Sequence, residues 1–365
     1  LWKVLQDSAN YSFNKSHSIA YAALAAITVY LKFKYPQQFF LSLLKMTRNE
    51  PDPTKEISLI HKELYDFDMK LLPPHLTKSD MDFTIEDGDI RYGLLSIKGI
   101  SDKSIEKLNK FRNKYADKFE TFKAAKQASL NVGVLSALIQ AGALQGFTQP
   151  RSKIVYEAQV WNILTEREKK YVMKLGKEYD YNLVQIVKKL VEYKDNDGKI
   201  AIKSSRYETI KKKSEPYRQI YVLNSKSEAF ANWFYEKKLL GYSHGTNLKD
   251  IFIEKRPNLS SVREVNALTV GRRPIFVGVV EDILSRVSKN QNKYVKLNIS
   301  DESGMVDVLM FNDAIEECKK MNNGLPEKGN IVIIKGTKKD ESVFANLISV
   351  QDNKVYTKLS ELKEA

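Results

Sequence analysis

Cysteine is nearly absent from this 365-residue sequence, and histidine is scarce. The single cysteine, Cys318, excludes an intramolecular disulfide and every zinc site that needs two or more cysteines. The four histidines, at positions 17, 61, 75 and 244, are not spaced as metal ligands. We therefore expect no metal site within the chain and a cytoplasmic location.

Long apolar runs are also missing. The most apolar stretch, 20–31, ends at two lysines and falls short of the roughly 18–20 residues that span a bilayer. No secretory signal is evident, and position 1 is Leu, which indicates a fragment or a processed chain. We expect no membrane partner.

Acidic residues are outnumbered. The sequence has 45 Asp and Glu against 59 Lys and Arg, a net charge of +14, and a pI near 9.4. Its 42% hydrophobic content is ordinary for a soluble protein, and its length suits two or three domains. The positive excess predicts a polyanionic partner, with nucleic acid ahead of an acidic membrane surface.

The pattern of residues divides the chain into helical and β-rich parts. Helical patterns cover 1–50, with a corner near 35–37, and then 53–65, 101–145 and most of the basic stretch 150–250. Short strands are predicted near 69–72, 83–85 and 90–93. Five longer strands are predicted at 275–284, 294–299, 305–311, 331–336 and 343–349, with a helix over 313–321. Five strands with a helix after the third is the order of an OB-fold barrel.

The segment Tyr11-Ser12-Phe13-Asn14-Lys15-Ser16-His17, followed by Ala20-Tyr21-Ala22, carries the first candidate site. Asn14 and Ser16 are suitable N-caps for a helix that runs to about residue 34. Lys15 and His17 would then lie at a helix start that favours an anion such as a triphosphate, with Tyr21 one turn later on the same face. The alternative is a well-capped helix with a solvent-facing lysine and histidine.

A Gly-containing turn between helices is a candidate site for the DNA backbone. In Ile97-Lys98-Gly99-Ile100-Ser101, Gly99 permits a tight turn, free amides can bind a phosphate, and Lys98 and Lys103 add charge. The turn could instead be an ordinary connection between packed helices. A second glycine between helices, Gly142, indicates on its own only a helix C-cap.

The predicted barrel has residues suited to single-stranded nucleic acid. Lys289, Lys293, Tyr294 and Lys296 combine charge with an aromatic face, and Phe311 could join them. The alternative is a barrel with solvated lysines and core aromatics, in which Phe311 belongs to the core.

In their order and spacing these motifs resemble the C-terminal portion of the α subunit of bacterial-type DNA polymerase III. The resemblance includes Phe13-Asn14-Lys15-Ser16-His17, Leu71-Leu72-Pro73-Pro74, Arg91-Tyr92-Gly93-Leu94, Ile97-Lys98-Gly99-Ile100 and Asp301-Glu302-Ser303-Gly304. It implies that a second hairpin, at 138–144 with Gly142 and the basic candidates Arg151 and Lys153, grips duplex DNA together with the first. The resemblance is weakest over 155–235. It implies a multidomain α+β protein with a fingers remainder (1–90), tandem helix-hairpin-helix elements (91–155), a basic helical linker (156–265), an OB-fold domain (270–352) and a tail (353–365).

The resemblance also implies partners and cofactors. A complete enzyme of this type is a DNA-directed DNA polymerase that uses dNTP substrates, Mg²⁺ held by palm carboxylates, primer-template DNA and single-stranded template DNA. The palm would lie in a polypeptide part outside this chain, so we expect no catalytic residue here. We therefore do not assign the Asp-x-Asp pairs at 66/68, 80/82 and 87/89 to the palm.

A sliding clamp is a further possible partner, for which 159–161 and 185–187 are loose candidate peptides. Other functions stay open at this point. One is a non-enzymatic accessory protein that holds DNA with hairpins and a barrel; another is an RNA-binding barrel on a helical body.

Overall fold

Helices account for most of the chain before residue 270. The computed structural model describes residues 2–3, 15–195, 197–254, 256–287, 293–357 and 360–361. Its helices up to this point are α1 (Lys15–Lys34), α2 (Pro36–Met46), α3 (Pro53–Leu64), α4 (Ile105–Phe111), α5 (Lys118–Gln127), α6 (Val132–Gln140), α7 (Arg151–Ile163), α8 (Glu166–Leu175), α9 (Leu183–Lys189), α10 (Ser204–Asn224), α11 (Glu228–Leu240), α12 (Leu248–Ile253) and α13 (Val262–Asn266).

Proline and capping residues determine where the early helices begin. Pro36 and Pro53 occupy the first positions of α2 and α3, where a missing backbone N–H costs nothing. Asp52 caps α3 by accepting a hydrogen bond from the amide of Lys55. The predicted corner near 35–37 and the predicted helix over 53–65 are confirmed.

A small sheet separates these helices from the hairpin region. Its strands are β1 (Leu71–Leu72), β2 (Thr84–Glu86) and β3 (Asp89–Arg91), in the order β1-β3-β2. Asp87 and Gly88 both have positive φ, at 53° and 95°, as a two-residue hairpin turn requires. Strand β1 is shorter than predicted because the amide of residue 69 bonds to Leu64 and that of residue 70 to the Asp89 side chain.

The last part of the chain forms a closed five-stranded barrel. Its strands are β4 (Ile275–Val287), β5 (Lys293–Asp301), β6 (Gly304–Phe311), β7 (Ile331–Lys339) and β8 (Ser342–Val350), with α14 (Asn312–Asn322) between β6 and β7. The strand order β4-β5-β6-β8-β7, with β6 and β8 parallel, is that of an OB fold. The predicted fold class, α+β with a C-terminal OB-type barrel, is confirmed.

One hydrophobic core runs through the helical part, from Phe40 to Tyr242. It includes buried residues of α7, α9 and α10, among them Trp161, Ile186 and Ile210. The stretch predicted as a helical linker is therefore helical, and it packs into the same core as the hairpin elements that precede it.

The barrel contacts the helical part at several places. A second core joins Trp233 of α11 and Phe252 of α12 to outer barrel residues such as Val277. At one end of this core, the Trp233 indole N–H donates to the Glu302 carboxylate. After β8, the chain returns to the helices, and the backbone of Tyr356 forms two hydrogen bonds with the Asn224 side chain, of 2.9 and 3.0 Å.

Gly241 permits a close approach between α11 and α3. It ends α11 with φ of 88°, and a Cβ built on it would lie 2.2 Å from the carbonyl oxygen of Thr54 in α3. Only glycine fits this geometry without displacement of the backbone. None of the helices in the described ranges is long and apolar enough to cross a membrane.

Candidate nucleic-acid interface

The first hairpin presents a polar turn on an apolar base. Ile97 and Ile100 are buried, whereas Lys98 and Gly99 between them are exposed. Gly99 has φ of 92° and open space where a Cβ would lie. The amide of Lys98 donates to the Leu239 carbonyl at 3.0 Å, which fixes the turn against α11. The sequence therefore projects this turn into solvent while its two isoleucines hold it in place.

Several backbone amides at this turn are available to a ligand. Within the described part of the chain, the N–H groups of Gly99, Ser101, Asp102 and Lys103 have no hydrogen-bond acceptor. A 3₁₀ turn over Asp102–Ser104 leads into α4, and the side chains of Ser101 and Lys103 are exposed. A row of free amides beside two lysines suits a phosphodiester backbone, which offers only acceptors.

A third cation near this turn was not found from the sequence. The Arg48 guanidinium lies 2.9 Å from the Asp102 carboxylate, and both residues line a cavity of about 380 Å³ with Lys98 and Gly99. Arg48 precedes the hairpin by some fifty residues and belongs to no motif, so no sequence signal places it here.

The second hairpin is directed inwards. Gly142 is buried with φ of 75°, and its amide donates to the Ile139 carbonyl at 3.0 Å. Arg151 packs against Gly142, and its guanidinium donates to the buried Glu236 carboxylate at 2.5 Å. Both predicted site residues thus take part in internal contacts.

Glu236 organises this internal site. Its carboxylate also accepts hydrogen bonds from Ser243 and from the amides of His244 and Gly245, at 2.8–2.9 Å. Burial on its own would raise the pKa of Glu236, but His244, Arg151 and the Gly245 amide together hold that pKa below its ordinary value. The site is a satisfied buried carboxylate.

Lys153 is half-buried near a second buried ion pair, between Lys118 and Glu157. Burial raises the pKa of the Glu157 carboxyl, and the charges of Lys118 and Lys153 oppose that rise. Of the two basic candidates at the second hairpin, Lys153 is the one without an ion-pair partner among the described residues.

Helix α1 places two of its three candidate residues together. The rings of His17 and Tyr21 lie 4.4 Å apart between centroids, so they share a face one turn apart as predicted. Lys15 is the first residue of α1, and its side chain, like Asn14 and the rest of 4–14, lies outside the described residues.

Much of α1 is apolar and exposed. Ile19, Leu24 and Ile27 are 55–64% exposed, and Phe33 is 70% exposed. The described contacts of α1 with the rest of the chain are at its end, where Lys32 pairs with Glu63 and Phe33 lies 5.4 Å from Phe67. An apolar helix in this position is typical of a surface that another protein segment covers.

The barrel carries a row of aromatic rings on its surface. Tyr294, Phe311 and Phe344 follow one another, with ring centroids 6.0 and 5.0 Å apart. The Lys339 ammonium lies 5.7 Å from the Phe344 centroid. Phe311 is 38% exposed and is a surface residue rather than a core one.

The lysines predicted for this face have different surroundings. Lys293 is exposed, Lys296 forms an ion pair of 2.7 Å with Asp307, and Lys289 lies outside the described residues. Phe344 and Lys339 were not found from the sequence. Phe344 joins the face because β6 and β8 pair in parallel, with Leu309 opposite Phe344. Lys339 ends β7, which pairs with β8 and places Lys339 opposite Ser342.

The Asp-x-Asp pair at 80/82 and the two candidate clamp peptides take part in internal contacts. The described residues contain no group of three or more His, Cys, Asp or Glu that could hold a metal ion. Asp80 lies 3.5 Å from Arg112, and Asp82 caps the neighbouring amide. The apolar residues of the two clamp-peptide candidates, Val160-Trp161 and Ile186-Val187, are buried in the core.

The chain thus combines a helical hairpin region with an OB-type barrel, which is the organisation of a multidomain α+β protein. A family model described as "Helix-hairpin-helix motif" matches residues 68–154. Proteins named DNA polymerase III subunit alpha match most of the chain. The protein from Aquifex aeolicus is 26% identical over 341 residues, which are 92% of this chain and 25% of that protein. The one from Campylobacter jejuni is 26% identical over 88% of the chain.

The chain is therefore homologous to DNA polymerase III α subunits, and the resemblance drawn from its motifs is confirmed. It spans about a quarter of the length of the curated relatives that it matches. The Bacillus subtilis protein of the same name is 32% identical over 162 residues, 44% of this chain and 14% of its own length.

Two solved structures also match parts of the chain. One is the mitochondrial single-stranded DNA binding protein Rim1 of S. cerevisiae, with a TM-score of 0.20, 18% identity and coverage of 24% of this chain and all of that protein. The other is the S. pombe Stn1–Ten1 complex, with a TM-score of 0.19, 19% identity, and coverage of 29% of this chain and 85% of that one.

Proposed function

We propose that this chain is the DNA-holding part of a DNA-directed DNA polymerase. The observation that carries the proposal is the exposed turn at Lys98-Gly99, with its free amides, in a chain homologous to polymerase α subunits. In this function the turn, with Ser101, Lys103 and Lys153, binds the backbone of primer-template DNA without reading its sequence. The relatives are bacterial, and a cytoplasmic location is part of the proposal.

The barrel would hold the single-stranded template. Tyr294, Phe311 and Phe344 offer faces on which successive bases can stack. Lys293 and Lys339 add positive charge beside them, whereas Lys296 is paired with Asp307. Stacking of this kind tolerates any base, as a replicative enzyme requires.

Helix α1 would help to bind the incoming nucleotide. Lys15 and His17 would contact the triphosphate of a dNTP, and Tyr21 would lie beside the nascent base pair. Two Mg²⁺ ions and the catalytic carboxylates would come from a palm-bearing part of the polymerase, where they activate the primer hydroxyl and stabilise the leaving pyrophosphate.

The exposed apolar residues of α1 favour this function over that of an accessory DNA-binding protein. A palm-bearing partner would cover Ile19, Leu24 and Ile27, whereas an accessory protein has no use for an apolar helix that its own described residues leave open. We include no clamp site in the proposal, because both candidate peptides have their apolar side chains in the core.

The test uses a polymerase that contains this chain together with its palm-bearing part. We expect Lys15→Ala to raise the KM for dNTP or lower kcat at least tenfold, while primer-template affinity stays within twofold. Lys45→Ala, an exposed lysine at the end of α2, is the matched control. Unchanged kinetics in Lys15→Ala would show that α1 does not contact the nucleotide.

A further inference from the structure

A cleft of about 680 Å³ opens beside the hairpin turn, and Lys98 and Gly99 form part of its lining. The rest of the lining comes mainly from α6, α7, α10 and α11. Most of it thus belongs to the region between 150 and 240, in which only Lys153 has been assigned a role in DNA binding above. Its volume is that of a ligand pocket.

Tyrosines form the aromatic part of this cleft, namely Tyr156, Tyr217, Tyr221 and Tyr235. The Tyr156 and Tyr221 rings are stacked, with centroids 5.6 Å apart and planes at 5°. The Tyr235 hydroxyl donates to the backbone carbonyl of Tyr356 at 3.1 Å. These contacts fix three of the four rings in position without any ligand, so a flat molecule could stack with little cost in side-chain ordering.

The wall that α6 contributes is made of small side chains. Gly133, Ser136 and Ala137 line the cleft there and leave room for a planar group. Gln140 adds an amide group, of the kind that hydrogen-bonds the edges of nucleobases.

The charges that line the cleft are all positive. Lys98, Arg151 and Lys238 belong to the lining, and none of its described residues is acidic. Arg151 is paired with Glu236 from behind, and Lys98 lies exposed in the hairpin turn. The Lys238 ammonium lies 5.6 Å from the Phe234 ring centroid. Aromatic walls with cations at the surface are complementary to a nucleobase with an attached phosphate, more than to an apolar peptide.

We infer that this cleft holds an unpaired nucleotide of bound DNA, with its base against the tyrosines and its phosphate beside Lys98 and the amide of Gly99. The inference rests on the proposed function, because the same turn would hold the adjoining DNA backbone. It assigns a role to the part of the chain in which the family motifs are weakest.

The experiment compares two DNAs with the whole 365-residue chain. One is a blunt duplex; the other is the same duplex with one unpaired 5-iododeoxyuridine at its end. We expect the unpaired nucleotide to raise affinity about fivefold to a hundredfold, as stacking of one base on an aromatic side chain does. Irradiation should cross-link it to a peptide of α10 that contains Tyr217 or Tyr221.

Variants of Tyr217, which is half-buried, test whether the aromatic ring is responsible. Tyr217→Leu should abolish the preference, and Tyr217→Phe should retain it. Tyr207→Leu is the matched control, since Tyr207 is also a half-buried tyrosine of α10 but does not line the cleft. Thermal unfolding of each variant establishes that it is folded.

Other results would overturn the inference. One is a preference that survives in Tyr217→Leu, or one that Phe311→Ala abolishes instead, which would place the nucleotide on the barrel. Equal cross-linking of free 5-iododeoxyuridine monophosphate would indicate a mononucleotide site rather than a DNA site. A chain that binds both duplexes equally contradicts only the cleft, whereas a chain that binds neither contradicts the proposed function.

Discussion

Arg151 and Glu236 are 85 residues apart in the sequence, yet their side chains meet at 2.5 Å between Nη1 and Oε1. The carboxylate is completely buried, and the guanidinium is about a quarter exposed. The pair connects the start of α7 to α11, directly behind the second hairpin. The interaction makes Arg151 important to the fold whatever it contributes to DNA binding.

We expect Arg151→Ala to lower the free energy of unfolding by about 3 kcal/mol, because it leaves a buried carboxylate without its guanidinium. Lys110→Ala, at an exposed position of α4, should change stability by less than about 0.5 kcal/mol. Urea unfolding of both variants measures the difference. Equal stability of the two would show that Glu236 does not depend on Arg151.

At the first hairpin we expect Lys98→Ala and Lys103→Ala to weaken duplex binding to the same extent for any sequence. Each lost phosphate contact should reduce the slope of log K against log salt by about 0.9. Lys110→Ala removes an exposed lysine at the far end of α4 and should leave the slope unchanged. Fluorescence anisotropy at several salt concentrations gives these slopes, and a binding constant that is flat with salt would argue against phosphate contacts.

On the barrel we expect Phe311→Ala to weaken single-stranded DNA binding about fivefold to a hundredfold, since it removes one stacking face. Met305→Ala is a close control: both side chains lie on β6, and they are 38% and 37% exposed. The same loss of affinity in both variants would mean that exposed apolar area, rather than the aromatic ring, is responsible.

Gly241→Ala should destabilise the chain by more than about 2 kcal/mol, because it combines a left-handed backbone with a Cβ placed 2.2 Å from the Thr54 carbonyl oxygen. Gly271 has a nearly identical φ of 89° but open space around it, so Gly271→Ala should cost only the backbone strain, about 1 kcal/mol. Thermal unfolding of the two variants separates the clash from the strain, and similar losses would contradict the close approach of α11 and α3.

Stability should also depend on pH through His61. This ring is buried against Tyr242, with centroids 4.4 Å apart, and burial, aided by the charge of Lys62, lowers its pKa from 6.5 to about 4. Between these values the unfolded chain binds a proton that the folded chain does not, so stability falls as the pH drops from 6.5 towards 4. From pH 7 to pH 5 the loss attributable to His61 is about 2 kcal/mol.

His61→Phe keeps a ring against Tyr242 and removes the titrating group. Urea unfolding at pH 7 and pH 5 should therefore show a smaller loss in this variant than in the parent chain. His75→Phe is the comparison, since His75 lies in a more open position and burial lowers its pKa less. An identical pH dependence of the parent and His61→Phe would rule out His61 as its source.

The barrel could be predicted because its strands alternate buried and exposed residues, as 293–299 does from Lys293 to Ile299. The first hairpin could be predicted because a glycine between two buried isoleucines is a local signal. Local signals do not reveal partners that are distant in sequence. Arg48 reaches the hairpin, and Phe344 reaches Phe311, only through tertiary packing and strand pairing.

The absence of a local signal also explains why the pairing of Arg151 with Glu236 was not predicted. A basic residue after a Gly-containing turn has the sequence pattern of a phosphate contact, and nothing near it indicates a carboxylate 85 residues further on. The tyrosine-lined cleft was missed for a related reason. Its rings come from three helices, and each tyrosine taken alone has the appearance of an ordinary core residue.

The hydrogen bonds Trp233–Glu302 and Asn224–Tyr356, with the apolar core that joins Trp233 and Phe252 to Val277, hold the barrel against the helices. In this arrangement the aromatic row on the barrel has a defined position relative to the Lys98-Gly99 turn. A DNA strand that touches both would have to bridge a gap of set width, and the count of nucleotides in that gap would be a property of the protein rather than of the DNA.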